Sequence, residues 1–97
     1  MNVRLSPEAE EQAEVCDTWW RENRNAQNLF ARELADTKMQ LVTTPKIGVV
    51  WAIVRGRPVR KFLMPRTHHH VYYEIEASGE IMIHSIWGAP KEHGPKL

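Results

Sequence analysis

Between Val59 and Trp87 the chain reads VRKFLMPRTHHHVYYEIEASGEIMIHSIW, three runs rich in β-branched and aromatic residues. Pro65-Arg66-Thr67 and Ala77-Ser78-Gly79 separate the runs, and turn residues between such runs predict consecutive antiparallel strands. In the second run Val71, Tyr73 and Ile75 alternate with His70, Tyr72, Glu74 and Glu76. In the third, Ile81, Ile83 and Ser85 alternate with Met82, His84 and Ile86. A period of two sends one set into a core and turns the other outward. The outward set contains polar and basic residues together with tyrosine and histidine, so the sheet is expected to supply both a core and a working face.

Upstream the period changes from two to that of a helix. Asn2 to Leu5 is short enough for an edge strand. Ser6-Pro7-Glu8 is a helix start, with Ser as N-cap, Pro at the first helical position and Glu suiting the dipole. Ala9, Ala13, Cys16 and Trp20 then form one apolar stripe. The pattern lapses around residues 21–25, where Asn25 can cap a second helix with Ala26, Phe30, Leu34 and Leu41 on one face. Thr43-Thr44-Pro45 ends it, because proline lacks the donor and clashes in a helix interior. Val49 to Val54 reads as a strand, or as an extended connection lying on the helices, and Arg55-Gly56-Arg57-Pro58 as a turn. The order is β-α-α-β-β-β, or the same with one strand more, which makes an α+β domain: a helical hairpin packed on a small, mainly antiparallel sheet.

Composition narrows the class. The 97 residues suit one domain with one core, ending in a loop-like tail over residues 88–97. A single cysteine excludes an internal disulfide, and the N-terminus lacks a signal peptide's apolar region, so a cytosolic protein is expected. Net charge is +1, unevenly spread. Residues 1–38 carry eight acids and five bases, and residues 39–97 four acids and eight bases. No acid occurs between Asp36 and Glu74, where Lys46, Arg55, Arg57, Arg60, Lys61 and Arg66 all fall. Such a dipolar molecule suits an acidic or polyanionic partner, although a merely solvated charged face fits the same pattern. Four tryptophans are many for this length, and some are expected at an interface.

Several motifs in order resemble the RelE/ParE superfamily of toxins from bacterial type II toxin–antitoxin systems. They are LSPEAEEQ leading the first helix, VRKFLMPRT, HHHVYYEI followed by GEIMIHSIWGA, and the ending HGPKL. The resemblance spans nearly the whole chain. It implies a helical hairpin on an antiparallel sheet, a cytoplasmic toxin, and a tight complex with a cognate ParD-like antitoxin that wraps it.

The superfamily divides by activity. RelE-like members cut messenger RNA in the ribosome, whereas ParE-like members poison DNA gyrase and have no established catalytic residues. Cleavage through the 2′-hydroxyl needs a proton acceptor, a proton donor and cations around the phosphate. The resemblance assigns these to Lys and Arg on the sheet and a residue, often tyrosine, near the C-terminus. Here Arg60, Lys61 and Arg66 can supply cations and His93 an acid or base. The tail beyond Trp87 has no Tyr or Arg, only Lys91, His93 and Lys96. The RelE set is incomplete, and the reading leans to a non-enzymatic, ParE-like gyrase inhibitor without a cofactor. Arg60, Arg66, His70, Tyr72, Lys91 and His93 are then expected to meet the target, and Trp19, Arg57 and Trp87 the antitoxin.

The same residues bear on other chemistries. In a strand His68 and His70 share a face that His84 can approach, but zinc needs three or four converging ligands and no second cysteine or acid lies nearby. Cys16 sits in the apolar stripe, which favours an inert thiol over a nucleophile. A plain nucleic-acid-binding module, using Arg and Lys interleaved with Tyr and His, is the reading from another class.

Overall fold

The first strand, β1 (Val3–Leu5), runs into helix α1 (Pro7–Asn23) through Ser6. The Ser6 hydroxyl accepts the Ala9 N–H at 3.1 Å and donates to the His84 carbonyl at 3.0 Å, so one side chain caps the helix and ties it to the sheet. This is a computed structural model and it describes residues 2–88. Helix α2 (Leu29–Thr43) follows, then strands β2 (Val49–Val54), β3 (Arg57–Met64), β4 (His69–Ile75) and β5 (Ile81–Gly88). The second helix starts at the Asn28 cap, three residues beyond the expected Asn25, and Asn28 makes no side-chain capping bond. Ala26 therefore lies in the link, while Phe30, Leu34 and Leu41 are buried as expected.

Residues 49–54 are a true strand, giving five strands in the order β1-β5-β4-β3-β2. The pairing of β1 with β5 is parallel, and all other pairings are antiparallel. Arg55 and Gly56 join β2 to β3 at φ of 51° and 77°, the positive values of a tight hairpin whose turn follows the strand twist. Residues 65–68 form the next turn, with His68 at φ 57°. His68 is therefore a turn residue, and it does not share a strand face with His70 as its place in the histidine run suggested. Gly88, expected to begin the tail, still belongs to β5.

One face of the sheet carries the helices. Met64, Val71, Tyr73, Ile81 and Ile83 from the strands pack with Ala9, Phe30, Leu34 and Leu41, and Ala13, Cys16 and Trp20 lie against them. The α1 stripe read from its spacing is thus the helix's core face. The alternation in β5 breaks at His84, where the register slips between Tyr72–Ser85 and Tyr73–Ile83. A bulge adds one unpaired residue and reverses the face of everything beyond it. Ile86, assigned outward by strict alternation, consequently joins the core. Ser85 and the Ile86 N–H bond to the Gln12 amide oxygen at 3.1 and 2.7 Å, which covers the β5 edge where β1 ends.

Candidate functional site

The face of the sheet away from the core is assembled by the cross-strand register. Lys61 stands opposite Tyr72, Leu63 opposite His70, and His70 opposite Trp87. Three of the residues expected to act together, Lys61, His70 and Tyr72, are therefore neighbours. Tyr72 is only 5% exposed, because Trp51 of β2 lies edge-on against its ring at 4.9 Å and His70 at 6.1 Å. Its alternation placed it outward, and it does leave the core, but aromatic neighbours cover it. Burial raises the Tyr72 hydroxyl's pKa. Partial burial lowers His70, and the Lys61 charge adds to the effect. A neutral imidazole beside a lysine results, able to donate or accept a hydrogen bond.

Arg60 points the other way. Its register partners are Val50 and Tyr73, on the helix-bearing side. Its guanidinium donates to the carbonyls of Gly48 at 2.7 Å and Lys46 at 3.4 Å. This satisfies two acceptors of the segment joining α2 to β2, so Arg60 fastens a loop. It lies on the opposite face from Lys61, as expected of adjacent strand positions.

Arg57, at the start of β3, belongs to a cluster that the sequence did not disclose. Its guanidinium donates to Glu74 Oε2 at 3.0 Å, and His84 Nε2 lies 3.1 Å from Glu74 Oε1. Burial alone would raise the Glu74 carboxyl, but the hydrogen bonds and charges of His84 and Arg57 outweigh it and hold the pKa below its ordinary 4.5. A carboxylate in that state makes His84 Nε2 the donor. The three side chains border a cavity of about 430 Å³ that Glu8, Arg55, Val54 and Val59 complete. His84 is the unpaired residue of the β5 bulge, two positions beyond Met82, which stands opposite Glu74.

A second depression runs along α1. Val15, Cys16, Trp19, His69 and Gly88 line both of its lobes, of about 630 and 740 Å³. Trp19 is 45% exposed, packs edge-on against Trp20 at 6.0 Å, and carries the Arg24 guanidinium over its ring at 5.1 Å. Arg66 closes one end and Trp87 lines the other lobe. Trp19 and Trp87, expected to meet the antitoxin, thus line one groove with Arg66, expected to meet the target, and Arg57 lies elsewhere. Lys91 and His93 lie outside the described residues.

Arg66 is placed by a residue that the sequence gave no reason to single out. Glu33 of α2 is buried, and its carboxylate accepts the Arg66 N–H, the Thr67 N–H and the Thr67 hydroxyl, each at 2.8 Å. The β3–β4 turn is thereby held to the helical layer. His69 follows, with Nδ1 donating to the Thr67 carbonyl at 2.8 Å and its ring edge-on to Phe30 at 5.3 Å. Burial lowers the His69 pKa, only partly offset by that carbonyl and by Glu33.

A five-stranded sheet with a parallel first strand and a helical hairpin on one face defines an α+β architecture found in toxin–antitoxin complexes. The chain matches one in the intact E. coli RelBE toxin–antitoxin complex with a TM-score of 0.60 at 14% identity, covering 93% of this chain and 98% of that one. It matches one in the chromosomal ParDE TA system from P. aeruginosa with a TM-score of 0.63, also at 14% identity, covering 91% and 95%. These matches establish the RelE/ParE-like fold that the motifs implied. No family model and no curated protein matches the sequence.

Proposed function

We propose that this chain is the toxin of a type II toxin–antitoxin pair, neutralised by a cognate antitoxin. The supporting observation is the end-to-end correspondence to a chain in each of two toxin–antitoxin complexes, joined to the motifs read from the sequence. The groove holding Trp19 and Trp87 offers the antitoxin an apolar seat rimmed by Arg24 and Arg66.

For the target we infer gyrase inhibition. Arg60 is committed to loop carbonyls, Tyr72 to its aromatic neighbours, and Arg57 and His84 to Glu74, which leaves Lys61 and His70 to meet a target. Together they supply a single permanent cation, whereas cleavage of RNA needs several around the phosphate. The hydrogen-bonded Arg57–Glu74–His84 group favours a second reading, RNA cleavage in the RelE manner. There His84 would transfer the proton, Glu74 would orient it and Arg57 would meet the phosphate.

Controlled induction with and without the adjacent antitoxin gene tests both levels. The expected result is growth arrest relieved by co-expression, with filamentation, DNA damage and gyrase-linked breaks while translation continues. Early translation arrest with cut messenger RNA would transfer the assignment to the second reading. Harmless induction combined with tight, salt-sensitive binding to bare RNA or DNA would replace both with a nucleic-acid-binding module.

A further inference from the structure

The two edges of the sheet are built differently. The β1 edge is three residues long, and Arg4 at its centre is tied to Glu76 at 2.6 Å and Glu80 at 3.6 Å. The β2 edge is six residues, Val49-Val50-Trp51-Ala52-Ile53-Val54, with no charge and no proline, and among the described residues β3 is its only strand neighbour. Val49, Val50 and Ile53 are 61%, 50% and 64% exposed. Val49 stands opposite Lys61 and Val50 opposite Arg60, so apolar side chains emerge on both faces of the strand. Exposed edges are usually blunted by charge, proline or brevity because their unpaired N–H and C=O groups invite another strand. Here one edge is blunted and the other is open.

We propose that β2 is the docking edge for an extended, acidic segment of a partner protein, which joins the sheet as a further strand. Charge selects this occupant. Lys46 precedes β2, Arg55 follows it, Arg57 and Lys61 lie on the adjacent strand, and no acid occurs between Asp36 and Glu74. A second copy of this chain is the wrong partner. Laid antiparallel, it would set Lys46 of each copy against Arg55 of the other, and laid parallel it would set like against like. The bulge between Val50 and Ala52 also makes β2 a poor template for itself. An incoming strand that alternates apolar residues with carboxylates would complete the backbone ladder, cover Val50 and Ile53 on one face, and meet the flanking cations.

This inference is independent of the toxin reading, and peptides test it directly. An eight-residue peptide alternating valine with glutamate, carrying a fluorophore, is titrated with the full chain and followed by anisotropy. Saturable binding is expected, at least tenfold weaker for the valine–lysine counterpart and for the glutamate peptide with a central proline. The proline peptide keeps every charge but cannot complete the ladder. Equal binding of the two glutamate peptides would reduce the effect to charge and overturn the proposal, as would no binding at all. Ile53→Glu, at an exposed position, removes an apolar contact and sets a carboxylate against those of the peptide, so it should weaken the glutamate peptide at least tenfold with an unchanged thermal midpoint. A concentration-dependent dimer that Ile53→Glu dissolves would assign the edge to a second copy, again overturning it.

Discussion

The Tyr73 hydroxyl donates to the Pro45 carbonyl at 2.6 Å and accepts the Gly48 N–H at 2.9 Å, joining the central strand to the segment that leads out of α2. Gly48 can be nothing larger. A Cβ there would sit 2.8 Å from both the Lys61 carbonyl and the Tyr73 hydroxyl. Tyr73→Phe leaves a buried N–H unsatisfied and should cost about 1–3 kcal/mol. Gly48→Ala should cost about the same through overpacking. Each predicts a loss of several degrees in thermal midpoint for a chain of this size, and a midpoint within one degree of the wild type, on calorimetry, would refute the structural role.

Glu33→Gln keeps the shape of the side chain but replaces one of two acceptor oxygens with a donor. Thr67 and Arg66 then lose part of a charge-assisted set, at about 1–3 kcal/mol. Amide exchange should quicken first at Arg66 and Thr67. Uniform protection across the turn in the variant would show that the carboxylate does not hold it.

Three groups, His69, His70 and Glu74, set the response to acid, and all act in the same direction. The folded pKa of His69 lies below its ordinary 6.5, so the folded state favours the neutral ring, and stability falls as pH drops through 6.5 toward the lowered value. Glu74, held below 4.5, contributes stability present above 4.5 and lost as pH falls through its folded pKa. Denaturant titrations should show a decline beginning near pH 6.5 and steepening below 4.5. His69→Gln should flatten the first part and Glu74→Gln the second. A profile unchanged by either variant contradicts the assignment.

Arg66 and Arg60 separate function from folding. The Arg66 backbone holds the turn while its side chain is exposed, so Arg66→Ala removes a cation without disturbing the anchor. If that cation meets an anionic partner, affinity should fall about ten- to a hundredfold, equivalent to about 1.5–3 kcal/mol, with folding intact. Arg60→Ala should instead lower the melting temperature, because two loop carbonyls lose their donor. Finding the pattern reversed between the two variants would return Arg60 to the binding face.

Trp19→Ala should weaken antitoxin capture while leaving the helix formed, since the ring is half exposed and the core stripe belongs to Trp20. Surface plasmon resonance against the co-purified antitoxin reads the change. Undiminished capture would place the antitoxin elsewhere than in the α1 groove.

Local rules made the helices and most of the sheet legible. Ser6 and Pro7 mark a helix start wherever they occur in that order, and Val71, Tyr73, Ile81 and Ile83 declare a core face by spacing alone. What escaped depended on partners far away in sequence. The His84 bulge inverts the expected side of Ile86, and no local pattern announces it. Glu33 looks like any surface carboxylate of a helix until the β3–β4 turn is brought against it. Arg60 stands out in a basic stretch, yet its partners are carbonyls, which have no signature in a sequence. The cluster of Arg57, Glu74 and His84 joins three strands and could be read only once they were aligned.

The parallel pairing of β1 with β5 makes completion of the molecule a matter of timing. Ser6 bonds to the His84 carbonyl, 78 positions away, and β1 has no other strand to pair with among the described residues. A ribosome releases β1 well before it delivers β5, so the emerging chain carries an unpaired first strand until that partner is made. Closing so long a loop is slow compared with local structure. A chain cut short before residue 81 would leave β1 without its strand partner, because β5, which joins the beginning of the domain to its middle, is the last strand among the described residues.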